Sequence, residues 1–238
     1  MKKVLFALAA VAAAAMPLAA SAQLTANVTL TSNYKFRGQD QDITRNKAFK
    51  PALQGGFDYA FADTGFYVGN WNSSVDFAPN NSIESDFYGG YKMTAGDFAL
   101  DFGGLAYVYP GFRPGRTVEL YASAGWGPLV AKYSHTVSDD YFNYASATTS
   151  SASGRNTGYF NVAFAQEVAP SISLKAAVGY TRFAGDIAAP NYTDYSVGAA
   201  YDFGGGVSAS AAVVGATKKN YFGDVNKARI IVGLTKAM

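Results

Sequence analysis

From Leu24 to Phe36 the chain alternates. Leu24, Ala26, Val28, Leu30, Tyr34 and Phe36 are apolar or aromatic, and Thr25, Asn27, Thr29, Thr31, Asn33 and Lys35 are polar, with Ser32 the one break in phase. A period of two sends successive side chains to opposite faces, so the stretch predicts a strand with one apolar face. At about 13 residues it exceeds the ~5–6 usual in globular proteins and suits a tilted strand that crosses a membrane. The pattern recurs in Ile83, Phe87, Tyr91 and Met93 against Glu84, Asp86, Lys92 and Thr94, and in Ile172, Leu174, Ala176, Val178 and Tyr180 against Ser173, Lys175, Gly179 and Thr181. It returns in Ile230, Val232 and Leu234 against Arg229, Gly233 and Thr235. Twelve segments read this way, at 24–37, 51–61, 66–77, 83–94, 97–109, 116–126, 129–137, 157–168, 171–183, 192–203, 206–217 and 227–237.

The connections alternate between long and short. Residues 38–50, 78–82, 110–115, 138–156, 184–191 and 218–226 form the longer set; Ala62–Gly65, Ala95-Gly96, Gly127-Pro128, Ala169-Pro170 and Gly204-Gly205 form the tight one. A transmembrane antiparallel up-and-down β-barrel has short turns at one end and long loops at the other, and twelve strands place both termini on the short-turn side. The fold class is therefore all-β. Residues 141–154, rich in Ser, Thr and Ala, read as a mobile surface loop that could fold inward and narrow a pore.

Aromatic residues supply a third signal. On the phase chosen from the alternation, Phe57, Phe61, Tyr67, Trp71, Tyr91, Phe98, Trp126, Tyr180, Tyr201 and Phe203 fall on the outer face, many near turns, as girdles at the two bilayer interfaces would use them. With the apolar face outward, an arginine at Val178 or Leu174 is expected to be costly and one at inward Thr181 mild.

Composition narrows the class. Lys2 and Lys3 precede an apolar run from Val4 to about Ala15, then Pro17 and Ala19-Ala20-Ser21-Ala22, which reads as a cleaved signal peptide over residues 1–22 ahead of a barrel at 23–238. The apolar run is about 12 residues where a spanning helix needs about 20. Without Lys2 and Lys3 the chain has 17 bases against 17 acids, so no electrostatic case for nucleic acid remains. The absence of cysteine removes disulfides, thiolate metal sites and a thiol nucleophile, and the single His135 removes any two-histidine metal site. No cofactor is implied.

Several motifs carry a family resemblance: Asn33-Tyr34-Lys35-Phe36-Arg37-Gly38, Pro51–Tyr59, Gly65–Trp71, Asp86-Phe87-Tyr88-Gly89-Gly90-Tyr91, Gly96-Asp97-Phe98 and Tyr107-Val108-Tyr109-Pro110-Gly111. On these the chain resembles the TorF-type family of porin-like exported proteobacterial proteins, over most of its length and most densely between 33 and 111. The resemblance implies an outer-membrane barrel with a porin role, and brings neither an established substrate nor catalytic residues. The chain departs from the common C-terminal Phe of outer-membrane barrels by ending Thr235-Lys236-Ala237-Met238.

Candidate chemistry is sparse. His135 stands beside Ser134 and near Asp139 and Asp140, but neighbours on a strand point to opposite faces, so no nucleophile–base pair is expected. Glu84 and Asp86 share a face and read as charges in a watery interior rather than as a catalytic carboxylate pair. The face opposite the apolar one supplies the expected lumen lining: Arg37, Asp58, Glu84, Asp86, Lys92, Asp101, Glu119, Lys132, Glu167, Lys175, Asp194 and Arg229, with Lys35, Asp76 and Asp202 on the same phase. Acids lead bases nine to six in this set, a mixed lining without a strong filter. Twelve strands about 4.8 Å apart and tilted about 40° give a backbone diameter near ~24 Å and an opening of about 10 Å. Such an opening would pass ions and small solutes unless Tyr88, Tyr107, Tyr109, Tyr121 and Tyr159 or an infolded loop fill it.

The expected function is passive diffusion of ions or small solutes through an outer-membrane, porin-like channel, not an enzyme activity. The alternatives are a plugged barrel with a structural, adhesive or receptor role and, less favoured, a soluble periplasmic β-protein. Expected partners are outer-membrane lipid and lipopolysaccharide, the barrel assembly machinery and the permeating solutes, with the oligomeric state open. The protein is expected to fractionate with the outer membrane and to run as a compact, heat-modifiable form in unboiled detergent gels; full extraction into detergent-free buffer would reject the barrel.

Overall fold

The computed structural model describes residues 23–43, 49–78 and 80–238, and the expected leader at 1–22 lies outside them. Twelve long strands form the wall: β1 (Gln23–Thr31), β4 (Ala52–Ala60), β5 (Phe66–Ser74), β6 (Ile83–Ala95), β7 (Phe98–Val108), β8 (Thr117–Trp126), β9 (Leu129–Thr136), β10 (Gly158–Ala169), β11 (Ile172–Arg182), β12 (Tyr192–Gly204), β13 (Val207–Ala216) and β14 (Arg229–Ala237). Each pairs antiparallel with its sequence neighbour in the wall, and β1 pairs with β14 to close the barrel. Closure leaves no wall strand with an open edge, so the backbone is satisfied without water. The seam continues to the chain end, where the Met238 amide donates to the Ala26 carbonyl at 2.8 Å.

All twelve alternating segments correspond to wall strands, with one revision. The first leaves the wall after Thr31, and its remainder forms a separate two-stranded hairpin of β2 (Lys35–Phe36) and β3 (Gln39–Asp40). Arg37 (φ +47°) and Gly38 (φ +76°) make the turn, two consecutive left-handed residues as a tight hairpin requires. A Cβ at Gly38 would lie 2.7 Å from the Asp194 Cβ and from the Gly215 carbonyl oxygen, so the turn sits directly against β12 and β13.

The usual core is inverted. Outward positions such as Leu53, Phe57, Phe87, Leu120, Trp126, Val178, Val197 and Ile230 are exposed apolar side chains, whereas Gln54, Glu84, Asp86, Glu119, Asn161 and Thr181 are buried inside. The apolar packing that does exist caps the loop end. Tyr34, Ala52, Val75, Tyr107 and Tyr109 form one cluster, and Tyr141, Ala145, Phe183, Ile187, Tyr192 and Ala216 the other.

Tyr67 and Trp71 correct the expected girdle, because both point inward. Trp71 pairs with Gly56 and Asp86, and the Tyr67 hydroxyl reaches Asp101. On β5 the outward positions are Phe66 and Val68 and then Asn70, and Asn70 is buried between its cross-strand neighbours Phe57 and Phe87. An outward amide thus reversed the apparent phase. Residues 141–154 are also more ordered than a Ser/Thr/Ala-rich loop suggests. They hold helix α1 (Tyr144–Thr148), and the Asp140 carboxylate accepts from the Tyr141, Ala145 and Ser146 amides.

Thr181 is fully buried at the loop end, so an arginine there has no room and the expected mildness does not hold. Ala165, on an inward position and exposed in the turn-side half, is the proper comparison. Refolded into bilayer vesicles, Val178→Arg is expected to cost ~2–4 kcal/mol and Ala165→Arg about 0–1 kcal/mol by denaturant titration. Equal costs would reverse the assignment of faces.

Candidate functional site

The lumen is the candidate site, and part of loop 1, between β1 and β4, enters it. The β2–β3 hairpin is inserted into the loop end of the barrel. From its turn the Arg37 guanidinium spans to β8, where Nη1 donates to Glu119 Oε1 at 2.9 Å and Nη2 to Oε2 at 2.7 Å. Nη1 also donates to the Tyr141 hydroxyl at 2.8 Å, and the guanidinium carbon lies 4.1 Å from the centre of the Tyr159 ring. A two-pronged charged pair flanked by aromatic faces uses what distinguishes arginine from lysine.

Further contacts hold the hairpin. Asp40 gathers three cations, with Lys35 Nζ at 3.0 Å, Arg229 Nε at 2.8 Å and Lys50 Nζ at 3.9 Å. Burial pulls the Lys35 ammonium down to about 8, opposed by the attraction of Asp40. The Tyr34 hydroxyl donates to Glu84 Oε1 at 2.7 Å, and the Tyr109 hydroxyl donates to Oε2. Burial, reinforced by Glu84, raises the Tyr34 hydroxyl well above its ordinary range. From the other loops, Tyr144 donates to Gln39 at 2.8 Å, and Gln39 donates to Asn226 at 2.9 Å.

Tyrosines rather than cations hold several of the wall carboxylates. Tyr88 donates to Asp58 and Tyr67 to Asp101, both at 2.7 Å, and Tyr159 donates to Asp194 at 3.1 Å. A neutral hydroxyl stabilises a carboxylate without cancelling its charge. Asp86 Oδ1 and Asp194 Oδ2 are buried without a hydrogen-bond partner. Lys92 lies 4.5 Å over the Tyr67 ring and Lys132 3.9 Å over the Tyr121 ring. Among the described residues no three His, Cys, Asp or Glu side chains converge as a metal cage. The arrangement sets fixed charges of both signs around the barrel interior, where they can attract charged or polar solutes.

The strand registers place Asp58, Glu84, Asp86, Lys92, Asp101, Glu119, Lys132, Glu167, Lys175, Asp194 and Arg229 on inward positions, with Glu167 at the turn-side rim, where it accepts from the Ser171 amide. Arg37 and Lys35 enter the lumen from the hairpin rather than from a wall strand. Asp76 instead lies in loop 2, bridged to Asp42. Asp202 sits near the turn end, accepting from Gly204. Of the tyrosines expected to fill the opening, Tyr107, Tyr109, Tyr121 and Tyr159 are buried inside. Asp40 and Lys50 escaped the sequence reading, since nothing in a polar loop signals that it enters the barrel. Ser134 is buried inward while His135 pairs with outward Leu120 and Gly158, so the two diverge.

The fold is that of known porins. A KdgM porin aligns with a TM-score of 0.58 at 9% identity, covering 89% of this chain and 98% of its own. A NanC porin aligns at 0.57 and 9%, covering 90% and 98%. A KdgM porin in complex with disordered oligogalacturonate aligns at 0.54 and 8%, covering 90% and 97%. No curated protein matches the sequence. One family model spans nearly the whole chain, residues 14–237, and by that match the protein belongs to the family described as "Bacterial protein of unknown function (Gcw_chp)".

Proposed function

We propose that this protein is an outer-membrane channel for ions or small solutes, exported by its N-terminal signal and held shut on the loop side by the loop 1 hairpin. The observation that carries this reading is that the obstruction is a loop latched to the wall by ion pairs, while below it Asp58, Lys92, Lys132 and Lys175 stay partly exposed to the barrel interior. An apolar outer wall and the likeness in fold to the KdgM and NanC porins support it, as does the TorF-type resemblance over most of the chain, densest between residues 33 and 111.

The latch is the place to test it. Glu119→Ala leaves Arg37 buried without its counter-charge, a loss of about 3–5 kcal/mol that shifts a closed population toward open by two orders of magnitude or more. In planar bilayers the parent is expected to open rarely, and Glu119→Ala and Arg37→Ala often. Absence of conductance in all three would favour the second reading, a permanently plugged barrel with a structural, adhesive or receptor role, for which the two aromatic clusters over the mouth speak.

Selectivity follows from the wall carboxylates. Glu84 and Asp86 face the interior two residues apart on β6, with tyrosine hydroxyls rather than cations on Glu84 and no hydrogen-bond partner at Asp86 Oδ1 among the described residues, so negative charge carried by either acts directly on a narrow opening. Glu84→Gln with Asp86→Asn is expected to lower cation over anion permeability without affecting assembly, and the difference should shrink as salt rises. Unchanged reversal potentials would remove the selectivity claim.

A further inference from the structure

The lone histidine, unused by the lumen, faces the other way. His135 is directly opposite Gly158 on β10, and Gly158 is directly opposite Arg182 on β11, so the three form one outward row at the loop end of the wall. The next outward row toward the turn side is Tyr133, Phe160 and Tyr180, three exposed aromatic rings paired in the same way. Two residues along a strand amount to a rise of about 7 Å. If the aromatic row sits at the bilayer interface, as such girdles do, the His135–Arg182 row lies at headgroup level just above it.

Gly158 leaves a hollow between the two basic side chains. A Cβ there would lie 2.7 Å from the Tyr133 hydroxyl, which shows that this ring leans upward over the gap. The hydroxyl is 3.2 Å from His135 Nδ1, and when it donates there the ring proton resides on Nε2, facing away from Tyr133. Arg182 is exposed and has no hydrogen bond or ion pair among the described residues. Of the acids in the adjoining loops, Asp139 is held by Arg155 at 2.7 Å and Asp140 by the Tyr141, Ala145 and Ser146 amides, and Asp186 makes no ion pair with Arg182 among the described residues.

We propose that Arg182, His135 and Tyr133 form a cradle for the phosphate of an outer-leaflet lipid, whose acyl chains lie along the aromatic row beneath. Strands about 4.8 Å apart put the two basic residues about 10 Å apart, a span that lets the guanidinium fork and the imidazole N–H reach one phosphate over Gly158. The anionic charge is complementary to Arg182, and the exposed rings below require an amphiphile rather than a free ion. The inference rests on the outer-membrane reading but not on conduction.

Native mass spectrometry of the full chain refolded in detergent tests it, with bisphosphorylated lipid A as the probe and heat-modifiability confirming that each variant is folded. Arg182→Ala is expected to weaken binding about tenfold, Arg182→Lys to recover part of the loss, and Arg182→Ala with His135→Ala to abolish specific adducts. Lys236→Ala, outward at the turn end, should bind as the parent does. Dephosphorylated lipid A should bind no better than the double variant, and millimolar inorganic phosphate should not displace the lipid. Parent-like binding by the double variant would overturn the site, and full displacement by inorganic phosphate would overturn the lipid assignment. Conductance of the same preparations is a separate readout, so a silent channel that still binds lipid A rejects only the channel.

Discussion

The pairing of β1 with β14 is the constraint on which the rest depends. Until those strands meet, the wall is an open sheet with two edges of unpaired amides and carbonyls; once they meet, every strand has two partners. Closure also divides space. Alternation along each strand then sends apolar side chains to the outside, where they gain only in an apolar surrounding, and polar ones to a confined interior. The ordinary hydrophobic core is absent from the barrel's middle and reappears as aromatic clusters over one mouth.

A confined interior changes what charges are worth. Arg37 and Glu119 are both almost wholly buried, and each would be severely destabilised alone in a medium of low effective dielectric. Their mutual fork, with the Tyr141 hydroxyl and the flanking Tyr159 ring, offsets that cost only in one geometry. The β2–β3 hairpin is thereby held in a defined place, with Tyr34 and Phe36 packed into the adjoining aromatic cluster. The same logic applies to Asp40, whose carboxylate ties Lys35, Arg229 and Lys50 and so fastens the base of the hairpin to β14.

Elsewhere in the lumen the solution is different. Asp58, Asp101 and Asp194 are each met by a tyrosine hydroxyl, and Lys92 and Lys132 lie over tyrosine rings. Tyrosine serves both signs of charge, donating through its hydroxyl to anions and offering its ring face to cations. The wall therefore holds its acidic and basic side chains in place through tyrosines rather than through mutual pairs. The abundance of tyrosine in this chain serves the interior as much as the membrane girdle.

The sequence by itself determined the twelve strands, their alternation of long and short connections, and which residues face inward on most of them, because those properties depend on the period of two along a single strand. It misjudged Tyr67 and Trp71 where outward Asn70, shielded by Phe57 and Phe87 from the neighbouring strands, mimicked a lumen position. The tertiary structure alone decided that Lys35 to Asp40 leave the wall and enter the lumen, and that Arg37 meets Glu119 82 residues away. It likewise brought His135 and Arg182 onto one row through the register of three strands. Such contacts lie between segments far apart in the chain, where local pattern carries no information and only the closed register and the energetics of burying charge select the partners.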